Sequence, residues 1–173
     1  MALVVVTGGA RSGKSSLAER LAAQRGEPVT VVVFGEGDGD PEMADRIDRH
    51  RRGRPDGWRT LEPAAAGAWL GDVPDGDLLV LDCLGTLVGR VMAEEWSGDV
   101  GFRDADMLPP RYAETVERRV DEVLAALAAR VGDTLVVTNE VGGGVVPAHA
   151  LGRLFRDVLG RANRTLVDRA EAA

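Results

Sequence analysis

Cysteine is nearly missing: Cys83 stands alone in 173 residues, so no disulfide can close within the chain. Long apolar runs are missing too, and none approaches the roughly 20 residues that a membrane-spanning helix needs. The amino terminus enters an aliphatic stretch without the basic and apolar regions of a signal peptide. The chain therefore reads as cytoplasmic, with no membrane insertion. Positive charge is in deficit, 21 basic against 28 acidic residues for a net charge of −7, which excludes the broad positive field of a nucleic-acid binder. What remains is an ordinary globular balance, 45% apolar and 28% charged, against both disorder and a fibrous repeat. The length suits one domain spanning residues 1–173 with a substantial core.

Leu3 to Val6 is a short aliphatic run closed by a glycine turn, and Leu17, Ala18, Leu21 and Ala22 follow at helical spacing. Val29 to Phe34 is rich in β-branched residues and ends in the loop "GEGDGDP". From Glu42 the pattern is helical, with Glu42/Arg46 and Asp45/Arg49 spaced to pair, until Gly53 and Pro55 stop it. Trp58 to Glu62 reads as a short strand, Ala64 to Leu70 as an alanine-rich helix, and Leu78 to Leu81 as a buried strand ending at Asp82. Leu84 to Trp96 reads as a helix and Ser97 to Pro110 as a polar loop. Val116, Val120, Val123, Leu124, Leu127 and Val131 mark one face of a long helix. Leu135 to Val137 gives a further strand, "TNEVGGGVVP" a loop, and Leu151 to Leu166 a last helix. Strands alternating with amphipathic helices predict a mainly parallel sheet covered on both faces, with ligands at the carboxyl ends of the strands.

Gly8, Gly9, Ala10, Arg11, Ser12, Gly13, Lys14 and Ser15 fit the phosphate-loop pattern G-x-x-x-x-G-K-[ST], between a strand and a helix as that motif requires. Glycines let the backbone turn its amides toward phosphate oxygens at the positive end of a helix. Lys14 then reaches the outer phosphates, and the Ser15 hydroxyl is placed to hold Mg²⁺. Asp82, at the end of an aliphatic strand, has two readings: a carboxylate for that same metal, or a cap for the next helix.

His50 is one of two histidines and lies among Arg46, Arg49, Arg51, Arg52 and Arg54. Nearby cations disfavour a protonated imidazole, which leaves a neutral, nucleophilic ring near neutral pH; the same arginines suit a triphosphate. The plain alternative is an exposed histidine on a basic helix. His149, after Pro147, reads as structural, Cys83 as a small buried residue, and Trp58, Trp69 and Trp96 as packing residues.

The segments "VTGGARSGKS", "EMADRIDRHRRGRPDGWRTLE", "LDCLGTLV", "VTNEVGGGVVP" and "LFRDVLGRANRTL" occur in this order from Leu3 to about Leu166. Together they resemble the bifunctional adenosylcobinamide kinase and adenosylcobinamide-phosphate guanylyltransferase family of cobalamin biosynthesis. The resemblance implies a three-layer, RecA-like P-loop fold. It implies phosphorylation of adenosylcobinamide by GTP or ATP, then transfer of GMP from GTP through a covalent GMP-histidine, here His50. It further implies nucleotide contacts from Gly8 to Ser15, from Phe34, Gly35 and Glu36, from Arg51, Arg52, Gly53 and Arg54, and from Glu62 and Asp82, with Mg²⁺ as cofactor and a homotrimer as the assembly.

Three departures from the family pattern stand out. "FGE" replaces an "ATA"-like string after the second strand, bringing a bulky ring and an acid toward the nucleotide. "GTLVGR" stands where polar and aromatic residues commonly follow "DCL". The family also continues past its last helix into a further strand, whereas "VDRAEAA" closes this sequence. Either the sequence stops short of that strand or the sheet lacks it, which would leave an edge exposed. Without the resemblance, a plain P-loop kinase or NTPase and a non-catalytic nucleotide binder both remain open.

Overall fold

The computed structural model describes residues 2–26, 28–35, 53–98, 101–102 and 107–173. The expected helix from Glu42 and most of the "GEGDGDP" loop lie outside the described residues. Among those described, five strands alternate with four α-helices: β1 (Leu3–Val6), α1 (Lys14–Arg25), β2 (Val29–Val32), β3 (Arg59–Leu61), β4 (Leu78–Asp82), α2 (Leu84–Glu94), α3 (Tyr112–Ala129), β5 (Thr134–Val137) and α4 (Ala150–Val167). No helix among them is long and apolar enough to cross a membrane.

All five strands pair in parallel, in the order β1-β5-β4-β2-β3. One line of register runs Val4, Leu135, Val80, Val31, Thr60 across the sheet. The aliphatic, β-branched character of β2, β4 and β5 follows from burial on both faces. Val6, Val29, Val31, Leu78, Val80, Leu135 and Val137 face α1, whose Ala18 and Ala22 are fully buried and let the helix lie close. Val5, Val32, Leu79, Leu81 and Val136 face the larger cluster built from α2, α3 and α4. The result is three layers, one helix against three.

Two expectations are corrected. Ala64 to Leu70 forms no α-helix; bends lead into a single 3-10 turn at Trp69–Asp72. Pro63 and Gly67 leave too short a run to nucleate a helix, and Ala66 and Trp69 are instead drawn into the core. Glu94, in the last turn of α2, accepts the Ala66 amide at 2.9 Å and fixes the bend. The outer edge of β1 is not bare either. Glu171 donates its amide to Leu3 O and Ala172 accepts from Val5 N, both at 2.9 Å, and Ala172 bridges Val4 in parallel. The last residues thus add a short strand-like pairing to the first strand.

Candidate active site

The register places Val6, Val137 and Asp82 at one level on the carboxyl edge, so whatever follows β1, β5 and β4 meets there. After β1 the chain turns through Gly8 to Gly13 into α1. Gly13 caps that helix at φ 84°, a left-handed conformation open to glycine at little cost. At Gly8 a Cβ would come 3.0 Å from Ser12 Oγ and 3.6 Å from Lys14 Cδ, so the loop closes tightly only without one. Lys14 begins α1, is buried, and donates from Nζ to Gly9 O at 2.6 Å. The ammonium therefore sits across the mouth of its own loop, where the helix dipole also favours an anion.

Ser15 joins this loop to the neighbouring acid. Its hydroxyl donates to Asp82 Oδ1 at 3.1 Å, across 67 residues of sequence. The alternative reading of Asp82 as a helix cap falls to the next residue: Cys83 occupies the N-cap of α2, with Thr86 Oγ1 accepting from Cys83 N at 3.3 Å and donating to Cys83 O at 2.8 Å. Asp82 is left with the serine. Two hard oxygens side by side suit Mg²⁺, which takes few protein ligands and fills its octahedron with water and phosphate oxygens. Among the described residues there is no cluster of three or more His, Cys, Asp or Glu that would favour another metal.

The other expected contacts are placed less uniformly. Gly35 follows β2, and its carbonyl accepts from Arg90 Nη2 of α2 at 3.1 Å. Phe34 is corrected: its ring is 2% exposed and packs edge to face on Trp69, centroids 5.6 Å apart, within the core. Parity along β2 explains this, since Val29 and Val31 face α1 while Val32 and Phe34 point to the other side. Arg54 also departs from expectation. Its guanidinium is held by Glu19 of α1 at 3.3 Å and Thr60 of β3 at 3.1 Å, so it braces α1 against the sheet. Gly53 and Glu62 are exposed, Glu62 at the carboxyl end of β3. Glu36, His50, Arg51 and Arg52 lie outside the described residues. His149 is the N-cap residue of α4, exposed and without a side-chain cap hydrogen bond.

Sequence reasoning named the loop after β5 without naming its working parts. Glu140 N donates to Gly8 O at 3.0 Å, which ties that loop to the phosphate loop. Asn163 of α4 accepts from Thr138 Oγ1 at 2.6 Å and donates to Asn139 O at 3.0 Å. A polar triplet directly beyond a buried parallel strand was the available signal, because ligand sites form at that edge.

A family model described as cobinamide kinase / cobinamide phosphate guanyltransferase matches residues 4–173. The chain belongs to this family. Curated relatives agree along nearly the whole length. The bifunctional adenosylcobalamin biosynthesis protein CobU of Escherichia coli is 35% identical over 167 residues, covering 95% of this chain and 89% of that protein. The protein of the same name from Salmonella typhimurium is 34% identical over 188 residues, with 98% and 92% covered. The bifunctional adenosylcobalamin biosynthesis protein CobP of Pseudomonas aeruginosa is 38% identical over 169 residues, with 96% and 88% covered. The family is thus one of bifunctional enzymes, a kinase and a guanylyltransferase, and the alternative of a non-catalytic binder is set aside.

Proposed function

We propose that residues 1–173 form one nucleotide-binding domain that phosphorylates adenosylcobinamide with GTP or ATP and then transfers GMP from GTP to adenosylcobinamide phosphate, giving adenosylcobinamide-GDP. The reading rests above all on the joining of two elements, Lys14 over the loop carbonyl of Gly9 and Ser15 on Asp82, in a chain of this family. A bound triphosphate would draw Lys14 Nζ from Gly9 O onto its outer oxygens, and the loop amides would hold the rest of the charge. Ser15 and Asp82 would hold Mg²⁺, which would supply neutralisation of phosphate charge. The acceptor hydroxyl then attacks the γ-phosphorus, and the nucleoside diphosphate leaves. Phosphoryl transfer of this kind needs positioning and electrostatic stabilisation more than covalent help from the protein.

Nucleotidyl transfer needs more, since one displacement is split into two. We assign the nucleophile to His50. Its Nδ1 or Nε2 attacks the α-phosphorus of GTP, pyrophosphate leaves, and a GMP-histidine forms; an oxygen of adenosylcobinamide phosphate then displaces the imidazole and takes up GMP. Arg46, Arg49, Arg51 and Arg52 support this by disfavouring the imidazolium. Nucleotide contacts are further proposed for Gly35, Glu36, Gly53 and Glu62, and a homotrimer working in the cytoplasm is proposed on the family resemblance. Incubation with adenosylcobinamide and GTP tests the order of steps. The intact protein is expected to convert the corrinoid first to its phosphate and then to the GDP-linked product, while His50→Ala stops at the phosphate. A variant that still completes the second step would remove His50 from the reaction.

A further inference from the structure

We propose that Glu140 is the catalytic base of the phosphoryl-transfer half reaction, receiving the proton of the acceptor hydroxyl; this rests on the kinase reading above. Three observations place it. β5 lies between β1, which carries the phosphate loop, and β4, which carries Asp82, so the residues after Val137 emerge between the two halves of the triphosphate site. The Glu140 amide donates to the carbonyl of Gly8, the first residue of the phosphate loop, at 3.0 Å. The side chain is exposed, and its Oε1 accepts the Gly142 amide, a contact that holds the carboxylate by one of its two oxygens.

The remaining acids at this edge are committed or distant. Asp82 accepts from Ser15, and a carboxylate that serves a metal is a poor proton acceptor. Glu19 accepts from Arg54. Glu62 follows β3, four strand spacings from β1, or about 19 Å at the usual separation, whereas β5 is one spacing away. Distance therefore decides for Glu140 among the described residues.

The loop is built to hold its place. Asn163 fixes Thr138 and Asn139, Arg156 Nη2 donates to Gly142 O at 3.0 Å, and Arg153 Nη1 donates to Pro147 O at 3.1 Å. Between these clamps Val145 is 96% exposed and Val146 60%, an uncovered apolar tip of the same loop, suited to the body of a large acceptor with an apolar face. In the step itself the acceptor oxygen bonds to the γ-phosphorus and the bond from that phosphorus to the bridging oxygen breaks. The nucleoside diphosphate leaves with those electrons, and the hydroxyl proton passes to Glu140 Oε2 and then to water.

Glu140→Gln tests this, because its amide oxygen can still accept from Gly142 N and so preserve the turn. The kcat/KM of phosphorylation should fall about 100- to 1,000-fold and lose its decline toward acid pH, as expected for removal of a general base. GTP affinity and GMP transfer to pre-formed adenosylcobinamide phosphate, measured on the same preparation, should be retained, which also reports that the variant is folded. Glu140→Asp should recover part of the rate together with the acid limb. Phosphorylation at the full rate in Glu140→Gln, or an equal loss of both reactions, would overturn the assignment of the base. Absence of phosphorylation in the unaltered protein would instead overturn the kinase reading beneath it.

Discussion

At the scale of single residues, the account turns on how far each side chain's partner lies along the chain. Lys14 answers to a carbonyl within its own loop, so the spacing of Gly8, Gly13 and Lys14 carries that geometry in the sequence. Lys14→Ala should weaken GTP binding by roughly 100-fold, about 3 kcal/mol, the upper range for a hydrogen bond to a charged group. Equilibrium binding measures this, and unchanged affinity would contradict the phosphate-loop role. Phe34 and Arg54 were not legible in the same way. In a strand buried on both faces, as β2 is, apolar residues occupy both faces, so nothing local tells which face Phe34 takes. Arg54 was read as one of an arginine cluster because its partner Glu19 lies 35 residues away.

Among the elements, those with a clear period were legible and those decided by packing were not. The apolar face of α3 matched its prediction at Val116, Val120, Val123, Leu124 and Leu127, all buried, but not at Val131, which lies beyond the end of the helix at Ala129 and is 70% exposed. The stretch from Ala64 to Leu70 did not, because tertiary burial of Ala66 and Trp69 overrode alanine's helix propensity. The junction of α2 and α3 shows what such packing holds. Met92 lies in the last turn of α2, where carbonyls lack intrahelical donors, and Tyr112 at the start of α3 donates its hydroxyl to that carbonyl. The tyrosine is 3% exposed and stands edge-on to Trp96, centroids 5.2 Å apart. Burial, and then the neighbouring charge of Glu95, push its phenol well above the usual value of 10.

A folded pKa raised in this way gives stability that is fully present below the unfolded value of about 10 and lost as pH rises above it. Tyr112 is the only tyrosine, so tyrosinate absorbance reads it alone. No phenolate signal should appear on raising the pH past 10 until the protein unfolds. Tyr112→Phe should cost about 1–2 kcal/mol at neutral pH, by leaving the Met92 carbonyl without its donor, and should flatten the alkaline loss of stability. A phenol that titrates near 10 in the folded state would contradict this packing.

For the whole molecule, the alternation of strand and helix made a parallel three-layer fold legible, but the order β1-β5-β4-β2-β3 was not. Strand order depends on which edges meet across long crossovers, and short aliphatic strands carry no label of their neighbours. That order nevertheless sets the site: β5 between β1 and β4 brings Glu140 to the phosphate loop, while Ser15 closes the gap to Asp82. The pairing of Ala172 with Val4 at the outer edge of β1 was likewise unreadable from "VDRAEAA", which has no strand period. On the proposed reading one cradle serves two successive transfers, and a covalent nucleotide on the protein is what separates that reading from a simple kinase. The most direct measurement is incubation with GTP labelled at the α-phosphorus, followed by denaturation. The account predicts label that stays on the protein, is released by acid but not by alkali, and is absent from His50→Ala; no label on the denatured protein, or equal label on the variant, would contradict it.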